Sequence, residues 1–195
     1  MSYSAEFRTV DLVLASETET SGVDAFALSL IKAERQMRKL FTYLVFQSAF
    51  LTTADISGLI KTLAANKEVY FNGVVAGFDA LSPALVKELI GPEYDRLWAR
   101  FCEFAKFRNK IFHGQLTGKE LSADQLRTNV DDIKLWCRLL AESANRELDY
   151  DGFARDSFRK SLMPNLANRL RVKIGSVEQY ANFISEHMER STLRR

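Results

Sequence analysis

Arg108, Asn109 and His113 are the residues whose types and spacing could do chemistry. An imidazole titrates near neutral pH and can take up or release a proton there. A guanidinium presents a planar fork of donors that matches a phosphate. Asn109 and His113 are four apart, so on a helix their side chains are neighbours one turn apart. Gly114 follows, a residue type that stops helices and here opens space around the ring. A planar cation, an amide and a titratable ring are thus gathered at one helix end. A plainer role stands beside this one. Basic residues at a helix C-terminus complement its dipole, and a His before a glycine cap can simply donate to the last carbonyls. The only other histidine, His187, lies on an amphipathic C-terminal helix and reads as a surface residue.

The elements that must position these groups are helical by period. Leu97, Phe101, Phe104, Arg108 and Ile111 fall on one side of a helix at about 100° per residue. An arginine on such a stripe must snorkel or find an anion, since burying its charge alone is costly. Phe26, Leu30, Ala33, Met37, Leu40 and Leu44 give a second stripe over about 23–48, and Leu126, Val130, Ile133, Cys137, Leu140 and Ala144 a third over 123–147. Shorter helical segments are expected near 54–65, 68–80 and 83–90. Capping boxes at Ser122/Gln125 and Ser176/Gln179 mark helix starts, as do Pro83 and Pro92. Two runs, 7–14 and 170–174, alternate instead and are expected to pair as a small two-stranded β-ribbon. The fold class expected is all-α: an antiparallel bundle with extra short helices and that ribbon.

A chain of 195 residues fits one domain, with a helical core over 23–147 and an extension over 148–195 packed on it. Hydrophobic residues make up 47% and charged residues 27%, the balance of an ordinary globule. The net charge of +2 names no partner. Its distribution is uneven: residues 151–195 carry 9 Lys and Arg against 5 Asp and Glu, so the extension is basic. That gives it capacity to neutralise phosphate, and an effect on nucleic-acid affinity is expected of it; a solvated mixed face is the plainer reading. Cys102 and Cys137 are 35 residues apart without ligand spacing and read as small buried hydrophobes in a reducing compartment. No metal and no cofactor is expected. The opening MSYSAEFRTVDLVLASETET lacks a cationic start followed by an apolar run, and the most apolar stretch, 40–51, is too short to cross a bilayer. A cytoplasmic protein with no membrane partner is expected. FNGVVAGF has two glycines and no following Lys, so it is no phosphate loop, and no Gly-x-Ser-x-Gly elbow is present.

The stretch FRNKIFHG resembles the signature of the HEPN superfamily (higher eukaryotes and prokaryotes nucleotide-binding domains): an Arg, a polar residue, then a His a few residues on, at the end of a bundle helix. The long first helix with AERQMRKLFTYLVFQ, the aromatic helix before the motif and the capped helix after it are similar to the HEPN bundle over about 23–147. The resemblance implies a metal-independent endoribonuclease in which two copies of the motif meet across the two-fold axis of a homodimer. Arg108, Asn109 and His113 would then be catalytic. Lys106 and Lys110 would contact RNA, and Glu34, with Arg35 and Arg38, would support the site from the first helix. Lys106 and Lys110 could equally be a plain charged face, and Glu34 with Arg35 and Arg38 a solvated face or the dimer rim. Many family members act in toxin–antitoxin or phage-defence systems, which implies an antitoxin or regulatory protein as a further partner. In the branch paired with a nucleotidyltransferase antitoxin, a modifiable Tyr stands two residues after the His; this chain has Gln115. Two other readings stay open: a HEPN-like module that holds RNA or a nucleotide without cleaving it, and a helical protein whose dimerisation is its function.

Overall fold

Two helices of 26 residues, α2 (Ser21–Phe46) and α7 (Ala123–Leu148), form the centre of the chain. Both predicted stripes are buried along their whole length, from Phe26 to Leu44 and from Leu126 to Ala144. The Ser122 capping box starts α7: Ser122 Oγ accepts from the Gln125 amide at 3.2 Å and Gln125 Oε1 from the Ser122 amide at 2.9 Å. The computed structural model describes residues 3–112, 121–153 and 156–190, and of 105, 106 and 108–112 the backbone alone. Around the central pair stand α1 (Tyr3–Ala15), α3 (Ile56–Ala65), α4 (Phe71–Leu81), α5 (Val86–Ile90), α6 (Tyr94–Phe112), α8 (Leu166–Arg169) and α9 (Val177–His187). Short 3-10 turns lie at Thr53–Asp55 and Gly91–Glu93.

The two longest helices run parallel, where an antiparallel bundle was expected. Gly22 meets Leu126 near their starts. Gln36 Nε2 donates to the Cys137 carbonyl at 3.0 Å halfway along, and the Tyr43 hydroxyl to the Leu148 carbonyl at 2.9 Å near the ends. The reason is the length of the connection: four helices lie between α2 and α7, so the chain returns to its starting end before α7 begins. Helix α6 supplies that return and is antiparallel to α7. Arg96 and Arg100 reach Asp132 and Asn129, while Tyr94 lies against Trp136.

The β-ribbon is not formed: 7–14 lies inside α1, and 170–174 contains no strand. The apolar run was compatible with two periods. Phe7 and Val10 are buried, with Tyr3, Val13 and Leu14 packed beside them, a helical spacing that leaves Leu12 exposed. Glu6 fixes α1 to α2 through Lys32 at 3.2 Å and Arg35 at 3.4 Å. Cys102 is likewise corrected: it is exposed on α6, one position past the buried stripe, while Cys137 is buried and its thiol pKa is pushed up by burial.

The basic extension is part of the core. Tyr180, Phe183, Ile184 and Met188 are buried, with Tyr180 and Phe183 stacked on Phe41 of α2 at 6.0 and 6.2 Å. Two of its cations act within the chain. Lys160 Nζ donates to the carbonyls of Phe46, Ser48 and Leu51 at 2.5, 2.7 and 3.0 Å, closing the C-terminal end of α2 where the dipole is negative. Arg159 bridges to Asp149 at 3.1 Å. The glycines of FNGVVAGF also find their reason here. A Cβ at Gly73 would stand 2.1 Å from the Met188 carbonyl oxygen, and one at Gly77 2.7 Å from the Met188 side chain, so α4 is glycine-bearing where the end of α9 crosses it.

Asp79, on α4, accepts the Val86 amide at 2.7 Å and so caps the start of α5. Burial raises its carboxyl from the usual range to about 6, opposed by the Val86 amide and by Arg171. A raised carboxyl pKa means the fold holds the proton more tightly than the unfolded chain. Its contribution to stability is full below the unfolded pKa and is lost as pH rises through about 6. Asp79→Asn keeps the acceptor without the charge. It should melt higher than wild type at pH 7.5 and level with it at pH 4. A gap between the two melting curves that is the same at both pH values would refute this assignment.

Candidate functional site at the end of α6

Helix α6 starts after the Gly91–Glu93 turn, with Pro92 early in that turn. Leu97, Phe101 and Phe104 form its buried face. Phe101 lies 4.8 Å from Trp136 of α7 and 5.0 Å from Phe71 of α4, ring centre to ring centre. Phe104 meets Phe26 of α2 edge-on at 5.4 Å. Because α6 is antiparallel to α7 and α7 parallel to α2, the C-terminal end of α6 runs toward the starts of both central helices.

The helix continues through Phe112, so Arg108 and Asn109 belong to its last two turns. Their side chains, with those of Lys106 and Lys110, lie outside the described residues, as does His113 with Gly114 and Gln115. Glu34 is half-buried on α2. It stands eight residues past Phe26, about 12 Å along the axis at 1.5 Å per residue, in the direction away from the end of α6. Its neighbour Arg38 donates to the Val69 carbonyl at 3.0 Å, and Arg35 pairs with Glu6. Arg35 and Arg38 are thus engaged away from the end of α6.

His187 is also remote from that end. Its ring lies 4.5 Å from Phe183, which packs on Phe41 in the far half of α2. Phe41 is 15 residues from Phe26, roughly 22 Å along the helix. His187 borders a shallow surface groove of about 320 Å³ shared with Lys173, Gln179 and Asn182. Among the described residues, no three His, Cys, Asp or Glu side chains gather as a metal ion would need. No helix among them is long and apolar enough to cross a membrane.

One polar cluster escaped the sequence reading. Asp132 accepts from Arg96 Nη1 at 2.6 Å and from Arg100 Nε at 3.2 Å, and Asn129 accepts from Arg100 Nη2. Asn129 and Asp132 are buried while Arg96 and Arg100 are half-exposed, so the arginines close the edge of the α6–α7 interface over two buried acceptors. Its signal was present as two arginines four apart on α6 and two polar residues three apart on α7, flanking Val130 and Ile133.

The fold and this helix end together define an all-helical protein with an Arg-Asn pair in the last turns of an aromatic helix, eight residues of backbone beyond an arginine clamp. Set against protein-family models, curated proteins and solved structures, the chain matches none.

Proposed function

We propose that this protein is a metal-independent endoribonuclease of the HEPN type, acting as a homodimer. The observation that supports the reading best is the helical backbone of α6 through Phe112, which puts Arg108 and Asn109 in the last turns of an aromatic helix within an all-helical fold. RNA brings its own nucleophile, the 2′-hydroxyl. One His113 takes that proton as the 2′-oxygen attacks the adjacent phosphorus. The His113 of the second copy gives a proton to the leaving 5′-oxygen as the P–O5′ bond breaks. Arg108 stabilises the charge that grows on the phosphoryl oxygens, and Asn109 orients the phosphate or the ring. The products are a 2′,3′-cyclic phosphate and a 5′-hydroxyl. Lys106 and Lys110 serve as phosphate contacts, and Glu34 as a supporting group. The remoteness of His187 favours two copies of His113 over a His113–His187 pair in one subunit. On the resemblance alone, the setting is a cytoplasmic toxin or phage-defence effector with an antitoxin or regulatory protein as partner.

Incubation of the pure protein with RNA in EDTA tests the activity: cyclic-phosphate ends should accumulate. Binding without cleavage would replace this reading with that of an RNA-holding module. Light scattering at micromolar concentration should give twice the 22.2 kDa chain mass. A monomer would remove the composite site.

A further inference from the structure

The cluster of Arg96, Arg100, Asn129 and Asp132 is more polar than an interface built for stability alone. Burying a carboxylate and an amide between helices costs desolvation that apolar side chains of similar volume avoid. Buried ionic groups are best attested as devices that fix register. The geometry suits that use. Both oxygens of Asp132 are engaged, one by Arg96 and one by Arg100, which stand on successive turns of α6. Arg100 spends its remaining donors on Asn129 and on Glu103 at 2.7 Å, and its guanidinium lies 5.2 Å from the Phe104 ring. Arg96 also holds Glu93 at 2.8 Å. A slip of α6 by one residue would translate it about 1.5 Å and turn it by about 100°, breaking both contacts to Asp132 at once.

We infer that Asp132, seated with Asn129, is a positioning residue that fixes the rotation and register of α6 and so aims its C-terminal end. The catalytic consequence rests on the ribonuclease reading; the mechanical claim does not. Arg108 follows Arg100 by eight residues, about 12 Å along a rigid helix. A rotation error at the clamp is therefore carried to the helix end undiminished. Catalytic groups must be held within about 0.5 Å and 10–20°, and a misplacement of about 1 Å can cost 10²-fold in rate.

The test separates aim from stability. In the triple variant Asp132→Leu, Arg96→Met, Arg100→Met, apolar packing replaces the clamp. Its melting temperature should stay within a few degrees of wild type, the relief of burying Asp132 being offset by Asn129, which loses its Arg100 donor. Amide hydrogen exchange along α6 should nevertheless quicken about tenfold while α7 is unchanged, and kcat for RNA cleavage should fall about 10- to 100-fold with KM within about threefold. Glu103→Gln, which removes only the exposed partner of Arg100, should change neither. A triple variant with wild-type exchange along α6 and wild-type kcat overturns the inference. If the triple variant does not fold, Asp132→Asn carries the test. Faster exchange in α6 than in α7 supports the clamp, and equal acceleration in both overturns it. If wild type cleaves no RNA, the ribonuclease reading falls, and the exchange measurements alone decide the clamp.

Discussion

His113→Ala is expected to lower RNA cleavage by at least 10²-fold, since general acid–base transfer contributes about 10²–10⁴-fold, while the melting temperature stays within a few degrees of wild type. The residue follows the last described position of α6, beyond the buried face that ends in described form at Phe104. Arg108→Ala should be comparably inactive, because it removes the group that meets charge in the transition state. His187→Ala should cleave like wild type, since that ring packs on Phe183 beside the far half of α2. Mixed dimers of His113→Ala with wild type give the sharper result. A site assembled from two copies keeps one imidazole of two in such a dimer, so activity should fall well below half. Activity at half the wild-type value would show that each subunit carries a complete site of its own. A dead His187→Ala protein beside an active His113→Ala protein would overturn the assignment entirely.

Truncation after residue 150 is expected to yield a protein that does not fold. It removes Phe153, Leu166, Leu170, Ile174, Tyr180, Phe183, Ile184 and Met188, all buried. Each large apolar side chain contributes about 1.5–3 kcal/mol on burial, so the loss of about 12–24 kcal/mol matches or exceeds the ~5–15 kcal/mol by which domains are stable. It also removes Lys160 from the three carbonyls that end α2. Gly73→Ala probes the same contact gently. Its Cβ would meet the Met188 carbonyl oxygen at 2.1 Å, a backbone atom that cannot swing aside. The extension should loosen first, seen as faster hydrogen exchange in α9 than in α7. A soluble, cooperatively melting 1–150 fragment would refute this and return the basic extension to a role in RNA affinity.

Long stripes were legible in the sequence because a 3.6-residue period sustained over about five turns has no competing explanation; both α2 and α7 follow it. Direction was not legible. Whether α2 and α7 run parallel depends on where α6 returns the chain, and that is fixed by tertiary contacts such as Arg100 with Asn129 and Phe104 with Phe26. The error at 7–14 came from a run too short to separate period 2 from period 3.6. At Lys160 and Arg159 charge was counted without its partners, and backbone carbonyls leave no mark in a composition. The candidate site divides similarly. Residue types at 108, 109 and 113 named a chemistry, but the groups that aim the helix carrying them were dispersed over 96, 100, 129 and 132.

The crossing of Met188 over Gly73 and Gly77 also sets a schedule in synthesis. Translation runs at about 5–20 residues per second, so Met188 is made roughly 6–23 s after Gly73. For most of that interval α3 and α4 have been translated but lack the α9 side chains that will cover them. The Arg108–Asn109 helix is already made by then. A ribosome making this protein therefore holds a chain whose proposed cutting residues exist before the body that must steady them is closed.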